Sequence, residues 1–226
     1  SQIIDKRGVS QQTINDGLMF QEIHLSTLGA KFDGTDETAI LAQAVSLADN
    51  NTTIVFDGPE FLFSTVDFGV KTVSLRGIPS ISAQTLASTV KISGAGIICN
   101  TQKVKIAYLY AQSTGTKTDG LNRCFLTNNK NNGVWIHITN CRASYFSGHV
   151  IYAKDLIDSK ISGFVPHHNN VVFRFIRDAW ANNTTIQLEK VYAQQNTLVF
   201  DADYCTQSSM IDCIFEFNTS MGNINN

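Results

Sequence analysis

The sequence predicts an all-β chain wound as a right-handed parallel β-helix with an N-terminal capping α-helix, and three observations carry the prediction. After about residue 50 the chain is a succession of short runs rich in β-branched and aromatic residues ("TIVF", "VKISGAGIIC", "VKIAYLYA", "VWIHI", "VVFRFI"). These are parted by Gly, Asn, Asp and Ser, with few of the Asn-Gly-type turns that close hairpins. Ile136, Ile161, Ile186 and Ile211 recur at one constant interval, and Phe125, Val150, Phe175 and Phe200 repeat it. Two apolar phases sharing one period suit a coil of parallel strands, each turn lying roughly 4.8 Å above the last with like side chains stacked inside. Finally, the best-marked helix stands directly before the first strand.

Residues 1–27 are polar and mixed. Ser10 is an N-cap candidate for a short helix over Gln11–Leu18, so this segment reads as a neck or linker. Residues 28–226 form the β-helix domain. It opens on a Gly/Asp turn, followed by a helix over about residues 36–48. Thr35 or Asp36 is its cap, Asp36 and Glu37 lie in its first turn, and Ile40, Leu41, Ala44, Val45, Leu47 and Ala48 make one apolar stripe. A β-helix has an open core and unpaired strand edges at its ends, and a helix laid across the first turn, stripe down, covers both. "TTIVF", Thr52–Phe56, is then the first strand. Counting turns of that period from Thr53 gives about seven. "IDCIFEFNTSMG" reads as one more turn, so the chain is expected to be the N-terminal part of a longer β-helix. Upstream of Leu121 the strand starts Val73, Val90 and Val104 lie close together, which predicts shorter early turns.

Charge narrows the function classes. Lys+Arg 17 against Asp+Glu 19, a net charge of −2 and the lack of a basic run argue against a nucleic-acid partner. The apolar runs fall far short of the roughly 18 residues that a membrane helix needs, so no membrane partner is expected. No charged-then-apolar leader opens the sequence. Cys99, Cys124, Cys141, Cys205 and Cys213 lack zinc-site spacing and read as buried reduced thiols. With no calcium-loop cluster either, no cofactor is expected and no residue is assigned to a metal.

The segment "GAKFDGTDETAILAQA" resembles the opening signature of the pectate-lyase-like β-helix family, in the version common in bacteriophage tailspikes and tail-borne polysaccharide depolymerases. Gly29, Ala30, Asp33, Gly34, Thr35, Asp36, Thr38, Ala39 and Ile40 match its turn and capping helix, and Glu37 replaces an acidic neighbour. The chain departs in having no residue between Gly34 and Thr35, and in Leu41-Ala42 before Gln43. "IVFDGPEFLF", Ile54–Phe63, echoes the next strand and turn, with Gly58 and Pro59 in altered order. The resemblance implies a homotrimer in the virion tail, with other phage tail proteins and a bacterial surface polysaccharide (capsule or O-antigen) as partners. Turn and cap chemistry accounts for Asp33, Asp36 and Glu37 without catalysis.

Cleaving a glycosidic bond takes two carboxyls, about 5 Å apart for retention or roughly 6.5 to 9.5 Å for inversion. Asp178 and Asp203 stand one such period apart and are expected on successive turns, where like charge would raise one pKa as a general acid requires. Arg177, Trp180 and Tyr204 beside them would bind sugar; two solvated turn aspartates are the plain alternative. Asp119 in "KTDGL" and His149 in "SGHVI" resemble two polygalacturonase motifs, but the paired aspartates between them are missing. His167-His168 beside Asn169-Asn170 offers a loop contact. Trp135 and His137 alternate with Ile136 and Ile138 and so project outward, toward a sugar or another subunit. Two functions remain: a depolymerase that hydrolyses or eliminates surface polysaccharide, and a non-catalytic glycan-binding or structural segment of a tail fibre.

Overall fold

Among the described residues the β-rich runs become three long stacks of strands, with a further short pair, Asn183–Thr184 beside Cys205–Thr206. The computed structural model describes residues 22–79, 88–131, 133–177 and 183–225, and every pairing between its named strands is parallel. Sheet I stacks Glu22–His24, Thr53–Phe56, Val73–Gly77, Lys103–Ala107, Trp135–Thr139, Ser159–Ser162, Ile186–Glu189 and Ser209–Ile211. Sheet II continues Tyr110–Ser113 through Arg142–Ser144, Val165–His167 and Tyr192–Gln194 to Ile214–Glu216. Sheet III continues Leu126–Asn128 through His149–Lys154, Val171–Ile176 and Leu198–Asp203 to Ser220–Asn225. The long strands Glu60–Asp67 and Thr89–Cys99 pair with each other and join sheets II and III, with a register shift between Phe63 and Thr65. The fold is the right-handed parallel β-helix that the pattern predicts, its hand the one that parallel crossovers adopt in nearly all proteins.

The core is a set of side-chain columns. In sheet I, strand pairing stacks Ile54, Leu75, Ile106, Ile138, Ile161 and Leu188 in one inward file, all of them buried. Burial is worth about 1.5–3 kcal/mol for each such side chain, so the file binds successive coils together strongly. In sheet III, Leu126, Ile151, Phe173 and Phe200 form a second file. Phe173 and Phe200 stack at 5.3 Å between ring centroids.

These registers correct the regular period. Ile161 pairs with Ile138 before it and with Leu188 after it, and the first of these intervals is shorter than the second; Leu188 pairs with Met210 over an interval shorter than either. Ile186 therefore lies beside Ser159 rather than Ile161, and Ile211 lies beside Glu189 on the outer face. The period is an average over unequal coils. The early coils are not uniformly short: Val73 pairs with Val104 and Val104 with Ile136, both across longer intervals than those later ones, while Val90 belongs to another sheet. The corners absorb the differences.

The first described strand, Glu22–His24, lies inside the segment that the sequence assigns to a neck and pairs with Thr53–Val55. The neck helix expected over residues 11–18 lies outside the described residues. Helix α1, Thr38–Leu47, buries Leu41, Ala44 and Val45 and packs against Glu60–Asp67, the strand that opens the joined sheets. It is the expected lid. Its N-cap position falls to Glu37, which makes no side-chain cap. The capping oxygen comes one residue earlier, where Asp36 Oδ1 accepts the Thr38 N–H at 2.9 Å. Asp33 Oδ1 does the same for the Thr35 N–H at 3.0 Å. These bonds hold both carboxylates below the usual range, led in each case by the threonine hydroxyl, which agrees with the turn-and-cap reading. Lys71 Nζ closes the other end of the helix, donating to the carbonyls of Val45 at 2.7 Å and Ser46 at 3.1 Å, where the helix dipole favours a cation.

The corner between sheets II and III repeats one device. Tyr145, His168, Gln195 and Phe217 all take left-handed backbone conformations, which L-residues adopt only at a cost. Just inside the bend, Asn169, Asn196 and Asn218 form a ladder that offsets it. Asn196 Oδ1 accepts from the backbone N–H of Asn169 at 2.9 Å and from its Nδ2 at 3.0 Å, and Asn218 Oδ1 receives the same two bonds from Asn196. Each amide nitrogen also donates to a carbonyl of a neighbouring coil, Ala143, Pro166 and Ala193 in turn.

Candidate functional site

Alternation along each strand sends one side chain inward and the next outward, so coil stacking turns outward residues into columns. On sheet II the register aligns Lys91, Gln112, Ser144, His167, Gln194 and Glu216. Beside them run Thr89, Tyr110, Arg142, Val165, Tyr192 and Ile214. Tyr110 Oη bonds Ser144 Oγ at 2.9 Å, and its ring lies 6.1 Å from His167. Tyr145, thrown outward by its left-handed bend, meets His167 edge-on at 6.1 Å and stacks flat on His168. The result is an aromatic ridge flanked by amides.

A loop walls this face. Arg123 and Asp119 pair within it, and Asp119 accepts the N–H groups of Leu121 at 3.0 Å and Thr116 at 3.2 Å. Lys117 reaches along the helix axis to donate to the Gln195 carbonyl at 3.0 Å. A cavity of about 380 Å³ lies beneath, lined by Lys91, Gln112, Ser113, Thr114, Gly115, Thr116 and Tyr145. Burial, then His168, then Arg142 lower the pKa of His167, so its imidazole is neutral at pH 7 and can both donate and accept.

The residues that the sequence singles out fall elsewhere. Asp178 and Trp180 lie outside the described residues. In the described part of this coil Phe175 pairs with Ala202, across an interval longer than the one that relates Asp178 to Asp203. Asp201 is the carboxylate on the same outer face as Asp203, two residues before it and 3.2 Å from Arg174 Nε. Arg177 and Tyr204 do come together, the guanidinium carbon 4.1 Å from the ring centroid, at the end of sheet III. Trp135 is 39% exposed on an earlier coil of sheet I, with Lys103 Nζ 5.0 Å from its ring centroid.

Asp119 and His149 serve local structure. The hydrogen bonds from Leu121 and Ser147 hold the Asp119 carboxyl below its usual range. His149 bonds Thr127 Oγ1 at 2.9 Å and lies 3.6 Å from Cys124 Sγ. Burial, and secondarily Arg174, lower its pKa to about 4. Burial raises the Cys124 thiol at the same time, so the pair is neutral and unlike an activated nucleophile. All five cysteines are free; Cys99, Cys124 and Cys141 are buried as expected, while Cys205 and Cys213 are partly exposed. Among the described residues no group of His, Cys, Asp and Glu could hold a metal ion, and no helix is long and apolar enough to cross a membrane.

Sequence reasoning missed Tyr110, Tyr145 and Ser144. Their signal was the recurring pair of a left-handed residue and an asparagine, at 168–169, 195–196 and 217–218, whose unequal intervals escape a search at fixed period.

No family model and no curated protein matches the chain. Among solved structures it is similar to Geobacillus virus E2 ORF18, with a TM-score of 0.57 and 16% identity over 91% of this chain and 44% of that one. The likeness is one of fold, and the chain spans less than half the length of that protein.

Proposed function

We propose that this chain is the receptor-binding β-helix of a phage tail protein, working as a homotrimer with other tail proteins, which lays a bacterial surface polysaccharide along the outer face of sheet II. The observation that carries the reading is the Tyr110–Tyr145–His167–His168 cluster beside Gln112 and Gln194. Flat rings offer sugar faces a stacking surface, and amides and a neutral imidazole match hydroxyl groups. The columns run along the helix axis at a rise of roughly 4.8 Å per coil, an extended footprint suited to a polymer. The fold shared with a phage protein supports the setting. On the strands of sheet II the carboxylates Glu60 and Glu216 stand at opposite ends, too far apart to flank one bond, which favours binding over cleavage on this face.

A second reading, depolymerisation, belongs to sheet III. Asp201 and Asp203 project from one strand two residues apart, about 7 Å along the backbone, within the range of an inverting pair. Asp178 and the Arg177–Tyr204 pair would complete such a site.

Incubation with purified capsule and O-antigen polysaccharides tests both readings. Size-exclusion chromatography follows chain length, ultraviolet absorbance detects the unsaturated ends left by elimination, and calorimetry measures binding. Binding weakened in Tyr145→Ala supports the sheet II face; binding unchanged in that variant sinks it. Shortened chains with wild type but not with Asp203→Asn support cleavage on sheet III, and intact chains throughout exclude it.

A further inference from the structure

We infer that sheet I carries a separate site for an anionic group of a polymeric ligand, on a different face from the sheet II groove. Strand pairing places Ser74, Lys105, His137 and Lys160 in one outward column, and Arg76, Ala107, Thr139 and Ser162 in the next. Where Ala107 interrupts the larger side chains, a trough of about 530 Å³ opens, lined by Lys105, His137, Ser74 and Thr139 and by the paired Arg76 and Glu22. Two of the cations are matched: Arg76 pairs with Glu22 at 2.8 Å, and Lys160 with Glu189 at 2.7 Å. Lys105 pairs with no carboxylate among the described residues. Lys103, on the same strand, lies against the Trp135 ring rather than an acid.

Here Lys105 lies beside His137, and His137 beside Lys160, with no carboxylate in the column between Lys105 and Lys160, in a chain whose net charge is −2. An exposed sheet could simply solvate its lysines. Solvation does not explain why the cations adjoin a hollow floored by alanine and edged by hydroxyls. Thr53 and Ser74 hydroxyls are already linked at 3.0 Å, and Trp135 is exposed on the same strand as His137. A carboxylate or phosphate seated there gains the Lys105 ammonium as a partner and hydrogen bonds from the Ser74 and Thr139 hydroxyls, and this does not depend on what sheet II binds.

The test compares dextran with carboxymethyl dextran, which differ in charge on one backbone, by calorimetry at low salt. Wild type is expected to prefer the carboxymethylated polymer by about tenfold, and the preference to shrink with added salt. Lys105→Gln should lower that preference about fivefold, and Lys154→Gln on sheet III should leave it intact. Tyr145→Ala should also leave it intact, which separates failure of this site from failure of the sheet II groove. Displacement by inorganic phosphate would extend the ligand class from carboxylates to phosphates. Equal affinity for the two polymers, or a preference that survives Lys105→Gln combined with His137→Gln, would overturn the assignment.

Discussion

Tyr145 and His168 lie on successive coils with ring centroids 5.4 Å apart and planes only 7° from parallel. Both owe their outward aim to left-handed backbone at the same corner. Because they are partly exposed, their loss should cost little stability, whereas each removes a stacking surface. Tyr145→Ala and His168→Ala are each expected to weaken polysaccharide binding by about 1 kcal/mol, the scale of an aromatic contact. Calorimetry reads the affinity, and a melting curve shifted by only a few degrees confirms that the fold survives.

The asparagine ladder predicts the opposite balance. Asn196 is fully buried and shares hydrogen bonds with Asn169, Asn218 and Pro166. Truncation to alanine strands the Asn169 N–H and the Pro166 carbonyl without water, at about 1–3 kcal/mol for each group. Asn196→Ala should therefore destabilise by about 3–5 kcal/mol in urea unfolding and leave any folded remainder able to bind. A loss below about 1 kcal/mol would show that the ladder is dispensable.

His149 links stability to pH. Its pKa falls from an ordinary 6.5 to about 4, first through burial and then through Arg174. A group depressed in the folded state stabilises fully above its unfolded pKa, and that contribution is lost as pH falls through the folded one. Stability should thus drop between pH 6.5 and about 4, by about 2 kcal/mol once partial exposure is allowed for. Urea titrations across this window should show a shallower slope in His149→Gln, which can still bond Thr127. An identical slope would assign the acid sensitivity to other groups.

The thiols report on folding. Burial pushes Cys99 and Cys141 up to about 12, so at pH 8 roughly one thiol in ten thousand is the reactive thiolate. With a thiol reagent the partly exposed Cys213 should react first, Cys99 and Cys141 only on unfolding. Mass spectrometry of partly labelled protein identifies the order, and early modification of Cys141 would contradict the packing.

Much of the fold was legible because it rests on local patterning. The apolar stripe of Leu41, Ala44 and Val45 and the turn chemistry of Asp33 and Asp36 state their roles in a few adjacent residues. The register was not legible, because Ile161 and Leu188 are brought together across an interval longer than the average, while a chance Ile186 stands at the average spacing. The sheet II face was hidden for a related reason: Tyr110, Tyr145 and His167 converge only after three sheets and a left-handed corner have formed.

Unequal coils that share common floors also set what the molecule can tolerate as it diverges. A residue gained or lost within a strand as short as Arg142–Ser144 would turn every following side chain to the wrong face. Residues added at a corner, as in the loop after Ser113, meet only the loop-closure cost, about 0.6 kcal/mol for each doubling of length. Specificity can therefore change by lengthening corners while the inner files stay fixed, and grafted sequences should be accepted there first.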